Sequence, residues 1–272
     1  MTSIKFGDYM TSIFDIENRL NYQKEFQKML QYLHYEKNAV GTRDGRSFSF
    51  IEAINYEAFG EWPYRGTALD CQEFLENIGL DDYTLSTGSI TNKKFLYYLE
   101  FIYNILLFAL ENEYIEIENN HTKSVLHNID KIIELMNYEF IFSADKWLLV
   151  KRSADIDSVL KVVNSDISSM LLEYNDFRNE NDICRKREIL KTLDKYLEEN
   201  QEKLKQIDNS AYKSVGHIMN NFGINHKLPK KYKEISNEEL IKLYDDCFLL
   251  VLHLIRYPEI KRINNEIKML EE

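Results

Sequence analysis

The sequence predicts an all-α protein, a helical bundle with one small β-hairpin near 138–150. Three observations carry this. Apolar residues recur at three- and four-residue spacings along most of the chain. Only 9 Gly and 3 Pro stand among 272 residues, too few for the many tight turns of an all-β fold. The period shortens to a strand-like one at a single place. With 44% apolar and 13% aromatic residues the chain can bury a sizeable core and is not a disordered polymer.

Taken in order, Ile13, Ile16, Leu20, Phe26, Leu30 and Leu33 lie at helical spacings, with Asp15, Glu17, Lys24 and Lys28 largely between them, which predicts a helix over 12–37. A loop with two Gly follows at 38–47, then a second helix over 49–59. Gly60 to Gly66 (GEWPYRG) breaks the pattern around Pro63. Thr67 with Asp70 reads as an N-cap opening a helix over 67–78. Residues 81–90 read as a loop, Thr91 opens the most apolar helix, to about 112, and Thr122 opens another, to 136. Tyr138–Phe142 and Trp147–Val150 are short apolar and aromatic runs separated by SADK, the pattern of a hairpin. Beyond it the expected helices are 155–175, 180–199, 201–221 and 236–256, with a last segment after Pro258. No internal repeat and no Gly/Ser/Pro linker appears. A cut near 152 gives an N-terminal helical domain, 1–152, ending in the hairpin, and a C-terminal helical bundle, 153–272.

Several function classes are excluded at this level. The run Phe95–Leu110 is interrupted by Glu100 and Asn104 and falls short of the roughly 20 apolar residues that span a bilayer, so no membrane helix is expected. The first residues, MTSIKFGDYM, lack a basic stretch leading into an apolar one, and with reduced thiols this points to the cytoplasm. Cys71, Cys184 and Cys247 are too few and too scattered for a disulfide framework or a zinc knuckle, and the two in apolar helical patterns read as small buried hydrophobes. There is no Gly-rich phosphate cradle and no His-Glu-x-x-His, and His34, His121, His127, His217, His226 and His253 show no metal-ligand spacing. Neither metal nor cofactor is expected. Glu238–Glu239 and Asp245–Asp246 read as surface charge on a helix.

The net charge of −11 is unevenly distributed. Residues 1–150 carry 13 Lys/Arg against 23 Asp/Glu, whereas 178–233 carries 13 against 8 and is the only long basic window. A polyanion would meet the chain there, since phosphate contacts need Lys and Arg; the alternative is a solvated helix surface of mixed sign.

Two stretches stand out for chemistry. In Trp62-Pro63-Tyr64-Arg65-Gly66, Arg65 is suited either to a carboxylate or phosphate, to stacking on Trp62 or Tyr64, or to tying two helices together through carbonyl bonds. In Met219–Lys231 (MNNFGINHKLPKK) a helix ends at Gly223, and Asn220, Asn221, Asn225 and His226 cluster just before Lys227, Lys230 and Lys231. A His among amides and lysines suits general acid/base work on a phosphodiester; the alternative is a helix cap with a packed His.

The run LLEYNDFRNENDICRKREILKTLDKYLEENQEKLKQIDNS, then IMNNFGINHK, then EELIKLYDDCFLLVLHLI, resembles a widespread group of bacterial proteins associated with abortive infection. Members typically end in a helical domain bearing an Asn-Asn-x-x-Ile-Arg-His-Asn-like segment, and YEFIFSADKWLLVKR and GEWPYRG also fit the group. The resemblance covers most of 60–260 and is strongest over 170–250. The C-terminal domain in turn is similar to HEPN domains, all-helical modules often found as ribonucleases in antiviral and toxin systems. The resemblance implies metal-independent RNA cleavage through the 2′-OH by a homodimer whose motifs face one another. It implies His226 as the motif His and Asn221 as the polar residue of the motif. The motif Arg has no counterpart, because positions 220 and 225 are both Asn. A missing guanidinium removes the group best suited to a phosphorane's charge. The expected function is therefore a defence protein that binds RNA and either cleaves it through His226, with Asn220, Asn221 and Asn225 positioning the phosphate, or, without the motif arginine, binds it only. Lys227, Lys230, Lys231 and Arg65 are its expected RNA contacts. The alternative is a non-enzymatic protein that dimerises and docks a protein partner, for instance from its own defence operon, through the acidic N-terminal half. A small-molecule sensor using Arg65 is a third class.

Overall fold

A computed structural model describes residues 20–34, 40–41, 47–115, 120–143, 145–226 and 235–271. The architecture is mostly helical with a small β-hairpin. The chain divides into two compact units, 1–137 and 138–272.

The first unit contains α1 (Tyr22–His34), β1 (Val40–Gly41), β2 (Ser47–Phe48), α2 (Phe50–Ala53), α3 (Cys71–Asn77), α4 (Asp82–Thr87), α5 (Asn92–Glu111) and α6 (Asn120–Leu135). The expected helix over 12–37 is described only from its middle to His34, and β1 and β2 form a two-residue antiparallel pair within the expected loop region. After α2 the chain runs on through a wide turn, 54–58, and a tight one, 59–61. α5 is apolar nearly all round, with Phe95, Leu96, Tyr98, Leu99, Ile102, Ile105 and Leu106 all buried, which makes it the central helix of this unit. Thr91 caps it by accepting the Lys94 N–H at 3.3 Å.

Two departures from the sequence reading are local capping effects. α3 begins at Cys71 because Asp70, not Thr67, is the cap, its carboxylate accepting the Glu73 N–H at 2.8 Å. Residues 82–87, read as loop, form the short helix α4. Asp81 accepts from the Thr84 N–H at 2.9 Å, and Gly88, at φ +65°, ends the helix. The segment lacks an apolar period, so only the cap signals it.

The second unit starts with the hairpin, β3 (Tyr138–Ser143) against β4 (Lys146–Lys151), with Phe142 opposite Trp147 and Ile141 opposite Leu148. A cut at 152 leaves the hairpin with the first part. Here it belongs with the second, because Val150, Ile141 and Leu148 join that unit's core and the Lys151 N–H donates to the Asn175 carbonyl at 3.2 Å. There follow α7 (Ala154–Leu160), α8 (Ser165–Tyr174), α9 (Ile183–Glu199), α10 (Gln201–Asn221) and α11 (Asn237–Glu271). Leu171, Leu190, Leu193, Val215, Met219, Cys247, Val251 and Leu254 form the centre of the core.

Three helix boundaries differ from expectation. The single helix over 155–175 is two, because Asn164 accepts the Ile167 N–H at 3.0 Å and restarts the chain as α8. α10 is broken at Asp208 (φ −147°, ψ 92°), whose carboxylate accepts the Ala211 N–H at 2.9 Å and caps the second stretch. α11 does not stop at 256 but runs through Pro258 to Glu271. One lost hydrogen bond is outweighed there by the helix-favouring run that follows.

Candidate functional site

The cap at the end of α10 is the element that positions the expected site. Gly223 lies at φ +85°, the left-handed conformation in which a helix commonly ends. The Phe222 N–H closes the last turn on the Ile218 carbonyl at 3.0 Å, and the Asn225 N–H reaches back to the Met219 carbonyl at 2.9 Å. Tyr244 on α11 donates its hydroxyl to the Phe222 carbonyl at 2.8 Å, and Ile224 is buried. Asn225 donates its carboxamide Nδ2 to Asp194 Oδ2 on α9 at 2.6 Å. The cap is thus held by α9, α10 and α11 together.

His226 is exposed and follows this pinned residue directly. Asn220 is exposed, and Asn221 is half-buried, with Nδ2 donating to the His217 carbonyl at 2.9 Å and lying 3.3 Å from His217 Nδ1. Asn221 and Asn225 therefore share the cap but spend amide protons on the protein itself. Lys227, Lys230 and Lys231 lie outside the described residues. Arg65 is in the first unit. Its Nε donates to the Gly60 carbonyl at 2.9 Å and one terminal nitrogen to the Ala68 carbonyl at 2.8 Å, closing the GEWPYRG corner. Beside it Trp62 meets Phe74 and Phe101 edge-on at 5.1 and 5.6 Å.

His217 is a site residue that sequence reasoning passed over. It is exposed on the last turn of α10, and its signal was its place four residues before Asn221, on the same helix face. Asp194 had no local signal, standing on another helix.

The basic window is partly neutralised by its own unit. Asp176 takes Arg178 through both carboxylate oxygens, with Nε at 2.8 and 3.0 Å. Arg185 bonds Glu173 at 2.5 Å and Glu188 at 2.8 Å. Buried Lys186 donates to Asp245 at 2.5 Å, and Tyr174 donates to the same oxygen at 2.9 Å, with the ammonium 4.7 Å over its ring. Asp245 is therefore the counter-ion of a buried lysine and not simply surface charge. A cavity of about 190 Å³ opens beside this group, but its buried charges are already matched to one another. Arg187, Lys191, Lys195, Lys203 and Lys213 remain exposed for an anion.

The buried thiols are unsuited to nucleophilic work: burial, helped by Asp194, pushes Cys247 up to about 12, and burial raises Cys71 further still. Among the described residues no group of three or more His, Cys, Asp or Glu is placed to hold a metal ion, and no helix is long and apolar enough to cross a membrane. No protein-family model, curated protein or solved structure matches the chain.

Proposed function

We propose that the chain is a cytoplasmic bacterial antiviral protein of the abortive-infection type, whose HEPN-like second unit binds RNA and cleaves it slowly without a metal. The observation that carries this reading is the exposed His226 immediately after a cap pinned from three helices, inside the only long basic window. In this reading an imidazole takes the proton of a ribose 2′-OH, and the oxygen attacks the adjacent phosphorus. The P–O5′ bond breaks and the departing 5′-oxygen is protonated by a second acid. His226 is one of these groups, and His217, on the last turn of α10, is assigned as the other. Asn220, Asn221 and Asn225 shape the approach, and Lys227, Lys230 and Lys231 supply charge. The active form is a homodimer, as in the domains that the sequence resembles.

The experiment is a metal-free cleavage assay on single-stranded RNA with the parent chain, His226→Ala and Asn225→Arg. Cleavage that requires His226 is the expected result. Unchanged cleavage in His226→Ala overturns the assignment. The Asp194 carboxylate holding Asn225 adds a second expectation: an arginine at 225 pairs with Asp194, so full gain of activity needs Asp194→Asn as well.

One observation favours a second reading, RNA or protein binding without chemistry. The residue that stands where the motif arginine belongs is committed to an internal carboxylate. In this reading the acidic N-terminal half docks a partner from the same defence operon. A salt titration separates the two ligands, since RNA affinity falls with a log–log slope of about −0.7 for each phosphate contact on single strands, and a flat response identifies a protein partner.

A further inference from the structure

The residue on α9 that pins the α10 cap belongs to a row along that helix. Cys184, Arg187, Lys191 and Asp194 follow one another at three- and four-residue steps, so they share one face. The first three are exposed and Asp194 is half-buried, while Lys186, Ile189, Leu190, Leu193 and Leu197 turn toward the core.

The row meets the cap at two places. Asp194 accepts from the Asn225 carboxamide at 2.6 Å. Tyr244, buried on α11, donates to the Phe222 carbonyl at 2.8 Å, and a Cβ on Gly223 would stand 3.5 Å from that same hydroxyl. Burial raises the pKa of this phenol, and the charge of nearby Arg187 opposes the rise. Arg187 thus lies by the tyrosine that holds the cap, and Lys191 stands between Arg187 and Asp194 in the row.

The cations of α9 divide by use. Arg185 is taken by Glu173 and Glu188, and Lys186 by Asp245. The side chains of Arg187 and Lys191 make no hydrogen bond or ion pair among the described residues. Lys191 is one turn from Asp194 and offsets that carboxylate. Arg187 is two turns away, about 10 Å along the axis, which leaves its charge for a ligand. A guanidinium offers paired N–H donors to the non-bridging oxygens of a phosphate, the chemistry absent from positions 220 and 225.

We infer that Arg187 is the phosphate-binding arginine of the candidate site, holding the non-bridging oxygens of the RNA phosphodiester on which His226 acts, with Lys191 beside it. The inference rests on the His226 reading for the chemistry, but the phosphate contact is measurable without cleavage.

The test compares the parent chain with Arg187→Gln, His226→Ala and Lys161→Gln. Lys161 is an exposed lysine after α7 that removes the same charge elsewhere in the unit. Two readouts are taken: metal-free cleavage of single-stranded RNA, and fluorescence-anisotropy binding of a 2′-O-methyl strand of the same sequence, which has no free 2′-OH. Circular dichroism checks that each variant is folded. Arg187→Gln is expected to lose cleavage about 100-fold or more, to bind about tenfold more weakly, and to lower the salt slope by about 0.7. His226→Ala loses cleavage and keeps binding, and Lys161→Gln keeps both. Parent-level cleavage in Arg187→Gln beside an inactive His226→Ala overturns the inference and leaves the His226 reading standing. If the parent itself does not cleave, that reading falls, and the binding readout decides for Arg187. Unchanged affinity and slope in Arg187→Gln, or an equal loss in Lys161→Gln, overturns the inference in either case.

Discussion

Among the described residues, the first unit buries only hydroxyl-bearing polar side chains, Ser49, Thr84 and Thr122, whereas the second buries Asp176 and Lys186, each in an ion pair. The first unit carries 12 Lys/Arg against 21 Asp/Glu and builds its interior from aromatic rings, Phe59, Trp62, Phe74 and Phe101 meeting edge to face or stacked. The second carries 22 against 24 and uses its charges to join helices: Arg185 on α9 to Glu173 on α8, and Lys186 on α9 to Asp245 on α11. Both interiors are apolar; the contrast is that the first adds close ring packing and the second adds matched charge between its helices. Shape fails when volume is removed; matched charge fails when one partner is removed and recovers when both are.

The largest effects break each unit by its own rule. Trp62→Ala is expected to cost about 3–5 kcal/mol through the cavity left among Phe59, Phe74 and Phe101, read by denaturant melting. Asp245→Leu leaves the Lys186 ammonium buried without its counter-ion and is expected to cost about 2–3 kcal/mol, less than a fully buried pair because Asp245 is 45% exposed. Adding Lys186→Met should restore most of that loss. A double variant no more stable than the single one would show that Tyr174 and the packing around it, not the charge match, hold α8, α9 and α11 together.

A smaller effect has the opposite sign. Tyr98 is buried in the first unit and its hydroxyl meets no hydrogen-bond partner among the described residues. Tyr98→Phe is expected to stabilise by about 1 kcal/mol, since it removes an unsatisfied polar atom and keeps the ring against Phe26 at 4.9 Å. A destabilised variant would mean that the hydroxyl is satisfied in solution.

The smallest effect is one of pH at the exposed Asp208 cap. The Ala211 N–H, with His253 3.4 Å away, holds this carboxyl below the usual carboxylate range. Because the folded-state value is the lower one, the stabilisation is complete above the unfolded value near about pH 4 and is lost as pH falls through the folded value. Asp208→Asn keeps an acceptor for Ala211 and should flatten the acid limb of the stability curve. An unchanged acid limb assigns that slope to other carboxylates.

Much of this was legible in the sequence where the signal is local. The period of Phe95 to Leu110 gave α5, the switch at Tyr138 gave the hairpin, and Gly223 marked the end of α10. Two of the missed helix breaks share one cause. Asn164 and Asp208 interrupt helices through a side-chain oxygen turned onto a backbone N–H three residues on, and the apolar period continues across both breaks. At the candidate site His226 and its amide neighbours were visible as a cluster. The groups that fix them, Asp194 on α9 and Tyr244 on α11, stand on other helices and have no signature near the cap. Asp245 was read as surface charge for the same reason: its partner Lys186 is 59 residues away.

The break at Asp208 also divides the anchoring of α10. The stretch 201–207 is too short to hold helical form by itself, so its order is lent by Leu204, its buried anchor. Residues 209–221 are sustained separately by Ala211, Val215, Ile218 and Met219 in the core. One helix in the chain's outline is thus two stretches with separate anchors. Loss of the first stretch would leave the second, which carries the cap before His226, still anchored in the core.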